Sequence, residues 1–382
     1  MNSTRRSVLK AGIAGLAAAS AGCLSEPGDD SETAGDGPTG YAALFTLWDW
    51  SEEITGDGMA FENVLSVGEA GHGWNPPGDL TLDVAESDAF VYLDTPEFSW
   101  AQNVASQLEE EDVAALDAMK ALESDQLLSF NHDHEGEDHD EESHEGEDHD
   151  EENHEEEDHE EEDHEEDDHN EEDHEEEDHE EEDHNEEDHD EDDHQEGEEF
   201  HDPHVWIDPV LAQEMVDWLA DEFAGIDPDN REMYRENADE YNDRLDDIDD
   251  QLQQLVDESR LDLGIFAGHN SFQYVEERYG FRLHSPQSVT PDAEPSADDI
   301  AETIELVEDN DIDVILYDPL ETADDGPPPL AQRILESTPA SEALPLTSGD
   351  GTTAEWQDNG WGWVEQMAEI NLPSLRAALG AE

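Results

Sequence analysis

The stretch DPDNREMYRENADEYNDRLDDIDDQLQQLVDESR, residues 227–260, decides the architecture of this chain. Apolar side chains recur along it at alternating intervals of four and three residues: Tyr234, Ala238, Tyr241, Leu245, Ile248, Leu252 and Leu255. This spacing places them in one stripe on a helix that, at about 1.5 Å per residue, would be roughly 40 Å long. A coiled-coil seam would give a similar stripe, but only about three heptads are present. We therefore predict one long helix that packs along two neighbouring lobes.

Short apolar segments alternate with helical patterns on both sides of this helix. Before it, apolar segments cover 42–48, 63–67 and 83–93, with a buried strand at 89–93 and a helix at 100–108. After it, 263–267 and 314–317 have the character of strands. Such alternation predicts α/β layering with largely parallel sheets. The predicted fold class is α/β: two βα lobes with central sheets, joined by the long rigid helix, with a cleft between them.

The charge of the chain excludes several classes of partner. There are 114 acidic and 12 basic side chains, a formal net charge of −102. Such a surface repels nucleic acid and anionic membranes. Of the carboxylates, 46 lie in 133–199 and the others are spread along the whole chain. We interpret this general acidity as that of an extreme halophile, an archaeon, because concentrated salt screens the self-repulsion.

The amino terminus has the features of a targeting segment. Arg5 and Arg6 lie in a stretch similar to a twin-arginine export signal, and the apolar region after it, 11–21, is too short to span a membrane. Cys23, the single cysteine, follows a sequence that resembles a lipoprotein processing box, so we expect lipid attachment there; a free thiol in a discarded signal is the alternative. The protein is then expected at the outer face of the cytoplasmic membrane.

Residues 131–199 carry a different kind of order. They have no apolar periodicity and cannot form a core, so we predict a disordered insertion. A histidine recurs at every fifth position from His134 to His194, with carboxylates between. We expect this tract to collect or sense zinc, although a solvated, self-repelling insertion would account for the carboxylates alone.

Five histidines lie outside the repeat and its leading edge: His72, His201, His204, His269 and His284. Three of them occupy turns at the ends of predicted elements, in GEAGHGWNPP (68–77), DPHVWIDP (202–209) and FAGHN (266–270). An isolated histidine near a turn is usually a surface residue, but ligand sites in α/β folds lie in such loops. Three imidazoles plus one carboxylate would complete a tetrahedral zinc shell. We expect His201 and His284 to be solvated residues or entrance ligands.

These motifs resemble those of the cluster A-I metal-binding solute-binding proteins of ABC transporters. The resemblance extends over nearly all of 41–379 except the tract, and DPHVWIDP is its most specific segment. It implies capture of Zn²⁺, or alternatively Mn²⁺, by His72, His204 and His269, and delivery to an ABC permease with its ATPase. The fourth ligand of the family is an acid on the loop after the last strand, which points to Asp350, although Gly349 and Gly351 replace its usual neighbours. Asp318 is the competitor, or else orients the site from behind.

We divide the chain into seven segments: a signal with lipoprotein box (1–23), a flexible tether (24–40), an N-terminal lobe (41–130), the His/acid-rich insertion (131–199), the end of the N-terminal lobe (200–227), the linking helix (228–260) and a C-terminal lobe (261–382). The protein is expected to be monomeric and not an enzyme. Three alternatives stay open: a manganese or iron component of such an importer, a surface zinc buffer or adhesin without a transporter, and a zinc hydrolase. The last lacks an HExxH-like helix.

Overall fold

A computed structural model describes residues 37–108, 111–129, 201–287, 295–321 and 326–381. The predicted export signal with Cys23 and the His/acid tract lie outside these residues. Two four-stranded parallel sheets belong to two lobes that share one long helix. The predicted α/β fold class is confirmed. In the described ranges, no helix is both long enough and apolar enough to cross a bilayer.

The first lobe contains a sheet of strand order β2-β1-β3-β4. Its strands are β1 (Thr39–Ala42), β2 (Ala60–Asn63), β3 (Ala89–Tyr92) and β4 (Ala114–Asp117). Its helices are α1 (Phe45–Thr55), α2 (Leu80–Ala85), α3 (Ser99–Gln107) and α4 (Pro209–Ile226). All four residues of β3 are buried, as expected of a central parallel strand.

One predicted boundary in this lobe differs from the structure. β1 begins at Thr39, inside the segment predicted as tether, because Thr39 pairs with Ala60 and Gly40 with Ala89 in the sheet. The apolar segment 63–67 shares only Asn63 with β2, and the rest of it lies in the loop after that strand. In this loop Leu65 is buried and contributes to the core.

The helix α5 (Arg231–Glu258) links the lobes, and the long-helix prediction is confirmed. Its buried residues are those of the apolar stripe: Tyr234, Ala238, Tyr241, Leu245, Ile248, Leu252 and Leu255. The stripe packs against α1 and α4 of the first lobe and against the last helices of the chain. A single 28-residue helix therefore contacts both lobes along its length.

The second lobe has the strand order β6-β5-β7-β8. Its strands are β5 (Leu263–Phe266), β6 (Arg282–His284), β7 (Val314–Tyr317) and β8 (Glu342–Pro345). Its helices are α6 (Gln273–Tyr279), α7 (Ala297–Asp309), α8 (Pro329–Ser337), α9 (Ala354–Asn359), α10 (Trp363–Gln366) and α11 (Leu372–Leu379), with a π-helical turn, Met367–Asn371, between the last two. Ser296 caps α7 through a reciprocal capping box with Asp299.

A polar junction ties α1, α5 and α10 together. Asp49 of α1 accepts hydrogen bonds from the backbone N–H of Trp363 at 2.9 Å and from the Tyr241 hydroxyl at 3.2 Å. Arg244 of α5 reaches Glu53 at 3.4 Å and Glu365 at 2.9 Å. Burial raises the pKa of Asp49 to about 7. The first lobe, the linking helix and the C-terminal helices thus meet at one buried carboxylate.

Candidate metal centre

Three histidines from both lobes converge in the cleft. His72 lies in the loop between β2 and α2, His204 precedes the turn that opens α4, and His269 follows β5. Their ring centroids are 5.0, 5.1 and 5.2 Å apart. One nitrogen from each ring lies within 4.8 Å of the others, and no other group of possible ligands of this kind occurs in the described part of the chain.

The two remaining candidate histidines lie elsewhere. His201 takes part in an isolated β-bridge with Ser129. His284, at the end of β6, lies with Nε2 2.9 Å from the Thr303 hydroxyl. Neither belongs to the cluster.

A carboxylate orients each of two rings: Asp202 is fully buried, and Glu321 is partly exposed. Asp202 Oδ1 accepts from the backbone N–H of His204 at 2.9 Å and lies 2.6 Å from Nδ1 of the same residue. Glu321 Oε1 makes the same pair of contacts with His269, at 3.1 Å and 2.5 Å. Because each oxygen already accepts from a backbone N–H, we assign the ring proton to Nδ1 in both histidines. Both Nε2 atoms are then left with lone pairs.

Those two lone-pair nitrogens face each other. The distance between His204 Nε2 and His269 Nε2 is 3.2 Å. Burial, and then the neighbouring His72 and His269, hold the pKa of His204 well below its usual range. A proton shared between the two Nε2 atoms is therefore unfavourable. Ligands of tetrahedral zinc at 2.0–2.1 Å are separated by about 3.3 Å. The spacing therefore fits a divalent cation bound by both nitrogens.

Asp350, on the loop after β8, lies beside His72 but is not a member of the three-histidine cluster. Its Oδ2 lies 3.5 Å from His72 Nδ1 and accepts from the Gly71 N–H at 3.0 Å. Its Oδ1 accepts from the Ser348 hydroxyl at 2.7 Å. Burial would raise the pKa of Asp350, but His72 and Ser348 together lower it below its usual value. Neither ring nitrogen of His72 has a hydrogen-bond partner within the described ranges, although both are buried.

The loop that carries Asp350 is held from behind. Asp318 is buried, and its Oδ2 accepts from the Ser348 N–H at 3.1 Å. Burial, followed by the charges of Glu321 and Asp350, raises the pKa of Asp318. Asn371, in the π-helical turn, accepts from the N–H of Thr347 and donates to its carbonyl, both at 2.9 Å. These contacts place Asp318 behind the loop, while Asp350 faces His72.

A cavity of about 720 Å³ adjoins the cluster on the side of the second lobe. His72, His269, Asp318 and Asp350 are among its lining residues. Strands β5, β7 and β8 all point their carboxyl ends toward it, the usual position of a ligand site in a parallel sheet. The cavity therefore gives an ion access to His72 and His269 from this side.

The profile of the family described as zinc-uptake complex component A, periplasmic (ZnuA) matches residues 41–370. The chain belongs to the ZnuA family. The high-affinity zinc uptake system protein ZnuA of Bacillus subtilis is 26% identical over 178 residues, which are 47% of this chain and 53% of that protein. The zinc-binding lipoprotein AdcA of Streptococcus pneumoniae is 23% identical over 278 residues, 72% of this chain and 44% of that protein. The chain thus spans about half the length of these curated relatives.

A solved structure supports the same ZnuA-family fold. The Zn(II)-bound ZnuA-like domain of Streptococcus pneumoniae AdcA superposes with a TM-score of 0.61 and 19% sequence identity. The match covers 90% of this chain and 99% of that domain. The two-lobed architecture is therefore that of a ZnuA-family protein.

The orienting groups of this ZnuA-family chain were not predicted as such. Asp202 lies in the quoted DPHVWIDP motif, and its position two residues before His204 is that of an Asx turn, a signal that could have revealed its role. Glu321 lies 52 residues from His269 in a chain with 114 acidic residues. No local pattern distinguishes it from the others.

Proposed function

We propose that this protein captures Zn²⁺ in the cleft, with His72, His204, His269 and Asp350 as ligands, and delivers it to the permease of an ABC importer with its ATPase. The facing Nε2 atoms of His204 and His269, at 3.2 Å, are the observation that carries the proposal. The relatives named for zinc uptake and zinc binding support it.

The donor set favours zinc among the divalent metals. Three imidazoles and one carboxylate suit a tetrahedral ion, whereas manganese prefers more oxygen ligands in octahedral geometry. Four protein groups would also fill the shell, so we propose a carrier and not a hydrolase, which needs an open position for water.

Metal analysis of protein purified from its own cells tests the site. Wild type should contain one tightly held zinc, and His269→Ala should lose it because Nε2 and the link to Glu321 are both removed. His284→Ala is the matched control, since His284 belongs to the same lobe, lies outside the cluster and has its Nε2 2.9 Å from the Thr303 hydroxyl. A His269→Ala protein that retains one tightly bound zinc would refute the proposed site.

We further propose that the tract at 131–199 supplies many weak sites that collect zinc near the cleft. Deletion of this tract should leave one tight zinc per chain and remove only weaker binding in equilibrium dialysis. Loss of the tight zinc after the deletion would contradict this division of roles.

The proposed location is the outer face of the cytoplasmic membrane of a halophile, reached by twin-arginine export, with the monomer anchored through a lipid on Cys23. The spacing of Arg5, Arg6 and Cys23 in the sequence supports this proposal. Cys23→Ser should release the protein into the medium, and a membrane fraction that keeps the variant would contradict the anchor.

A further inference from the structure

Ser348 is held on three sides in the loop that carries Asp350. Its backbone N–H donates to Asp318 Oδ2 at 3.1 Å, and its carbonyl accepts from Trp206 Nε1 at 2.8 Å. Its hydroxyl donates to Asp350 Oδ1 at 2.7 Å. The side chain is buried, with 1% of the residue exposed. The backbone contacts thus fix the position of Ser348, and its hydroxyl holds the Asp350 carboxylate.

The two oxygens of Asp350 have different surroundings as a result. Oδ2 faces His72 at 3.5 Å and is steadied by the Gly71 N–H, which belongs to the other lobe. Oδ1 is directed to Ser348. Rotation of the carboxylate, which would present both oxygens to an ion, requires the loss of this hydrogen bond.

We propose that Ser348 is a specificity-determining residue that restricts Asp350 to one metal-binding oxygen and thereby favours zinc over manganese. The inference rests on the proposed function, because it takes Asp350 as a ligand. One carboxylate oxygen with three imidazoles gives four donors, the number that zinc prefers. A second oxygen would give five, which moves the site toward the higher coordination number that manganese prefers.

Ser348→Ala tests this inference, because it removes the hydroxyl and leaves both backbone hydrogen bonds in place. The ratio of the manganese to the zinc dissociation constant should fall about tenfold, the scale of one hydrogen bond to a charged group. Co²⁺ bound in place of zinc should show intense tetrahedral absorption bands in wild type and weaker bands in the variant, because a fifth ligand reduces their intensity.

Thr347→Val is the matched control. Thr347 belongs to the same buried loop and its hydroxyl accepts from the Gly349 N–H at 3.1 Å, without contacting Asp350. It should keep the wild-type ratio and cobalt spectrum. If Ser348→Ala does not fold, as judged by circular dichroism, Ser348→Gly lacks the same hydroxyl and must show the same shift.

Two outcomes overturn the inference while the proposed function stands. In one, wild type and Ser348→Ala both bind one tight zinc with the same metal ratio and the same cobalt spectrum. In the other, Thr347→Val shifts both readouts as much as Ser348→Ala does, which would assign the effect to the loop in general. A wild-type chain without a tight zinc overturns the proposed function itself.

Discussion

Replacing Asp202 by asparagine should weaken zinc binding about 10- to 100-fold, the usual effect of losing a carboxylate that orients a metal-binding histidine. Asp202 lies 2.6 Å from His204 Nδ1 and is fully buried. A hydrogen bond to a charged group contributes about 1.5–3 kcal/mol, and a neutral acceptor keeps roughly half of it. The remaining loss comes from the negative charge, which makes the imidazole a better donor to the ion.

The metal-free protein should remain folded. In the Asp202→Asn variant the side-chain amide oxygen can accept both hydrogen bonds from His204, and Asp202 Oδ2, which the amide nitrogen replaces, has no partner in the described part of the chain. The unpaired amide N–H costs about 1–3 kcal/mol. The loss of a carboxylate whose ionised form burial disfavours, with the pKa of Asp202 raised to about 7, offsets this cost. We therefore expect little change in the free energy of unfolding without metal.

A competition titration with a fluorescent zinc chelator at constant high salt measures the dissociation constant. Asp117→Asn is the control, because Asp117 is also a buried carboxylate that accepts from two backbone N–H groups, of Asp94 and Met119, each at 3.1 Å. It should leave zinc binding unchanged. Equal affinity in wild type and Asp202→Asn would refute the orientation argument, and loss of the metal-free fold would assign the effect to stability.

Three further predictions concern stability. Burial raises the pKa of Asp49 from 3.8 to about 7, so its contribution to stability is full below about pH 4 and is lost as the pH rises through 7. The loss in the free energy of unfolding between pH 5 and pH 8, measured with urea, should therefore be smaller for Asp49→Asn than for wild type, by up to about 3 kcal/mol. An equal loss in both proteins would contradict the raised pKa. Gly362→Ala should destabilise by about 1–3 kcal/mol, because the added Cβ would lie 2.3 Å from Asp49 Oδ1. Gly225→Ala in α4, where a Cβ meets nothing within 4 Å, should instead stabilise by about 0.5–1 kcal/mol. Thermal melts of both variants check the order, and the reverse order would refute the packing argument. Lowering the salt from about 1 M to 0.15 M lengthens the screening distance from roughly 3 to 8 Å, so the melting temperature should fall in this chain of net charge −102; an unchanged value would count against the halophile interpretation.

Local periodicity determines some elements of this fold, and pairing between distant segments determines others. The stripe from Tyr234 to Leu255 was predictable because helical periodicity alone decides which residues face the core. Strand β2, Ala60–Asn63, was not predicted, since its pairing with β1 selects these residues and no local pattern reports that pairing.

The candidate site shows the same division. His72, His204 and His269 could be selected because histidines in turns are few outside the repeat, and the structure brings them together. Asp350 was selected only through the resemblance, because carboxylates in loops are common in this chain. Glu321 and Ser348 were not predicted at all, since their roles depend on contacts that only the folded chain creates.

The last helices provide no proposed metal ligand, but through Asn371 they support the loop that carries Asp350. The Asn371 side-chain amide pairs with both backbone groups of Thr347, as a residue of an adjacent strand would do. The Asn371 amide thus satisfies the backbone groups of the loop after β8 that a neighbouring strand would otherwise pair with. The π-helical turn at Met367–Asn371 contains this residue, so the last helices contact the loop that carries Asp350 through Thr347. A chain shortened before Met367 would keep every proposed ligand, yet the backbone N–H and carbonyl of Thr347 would lose their partner Asn371.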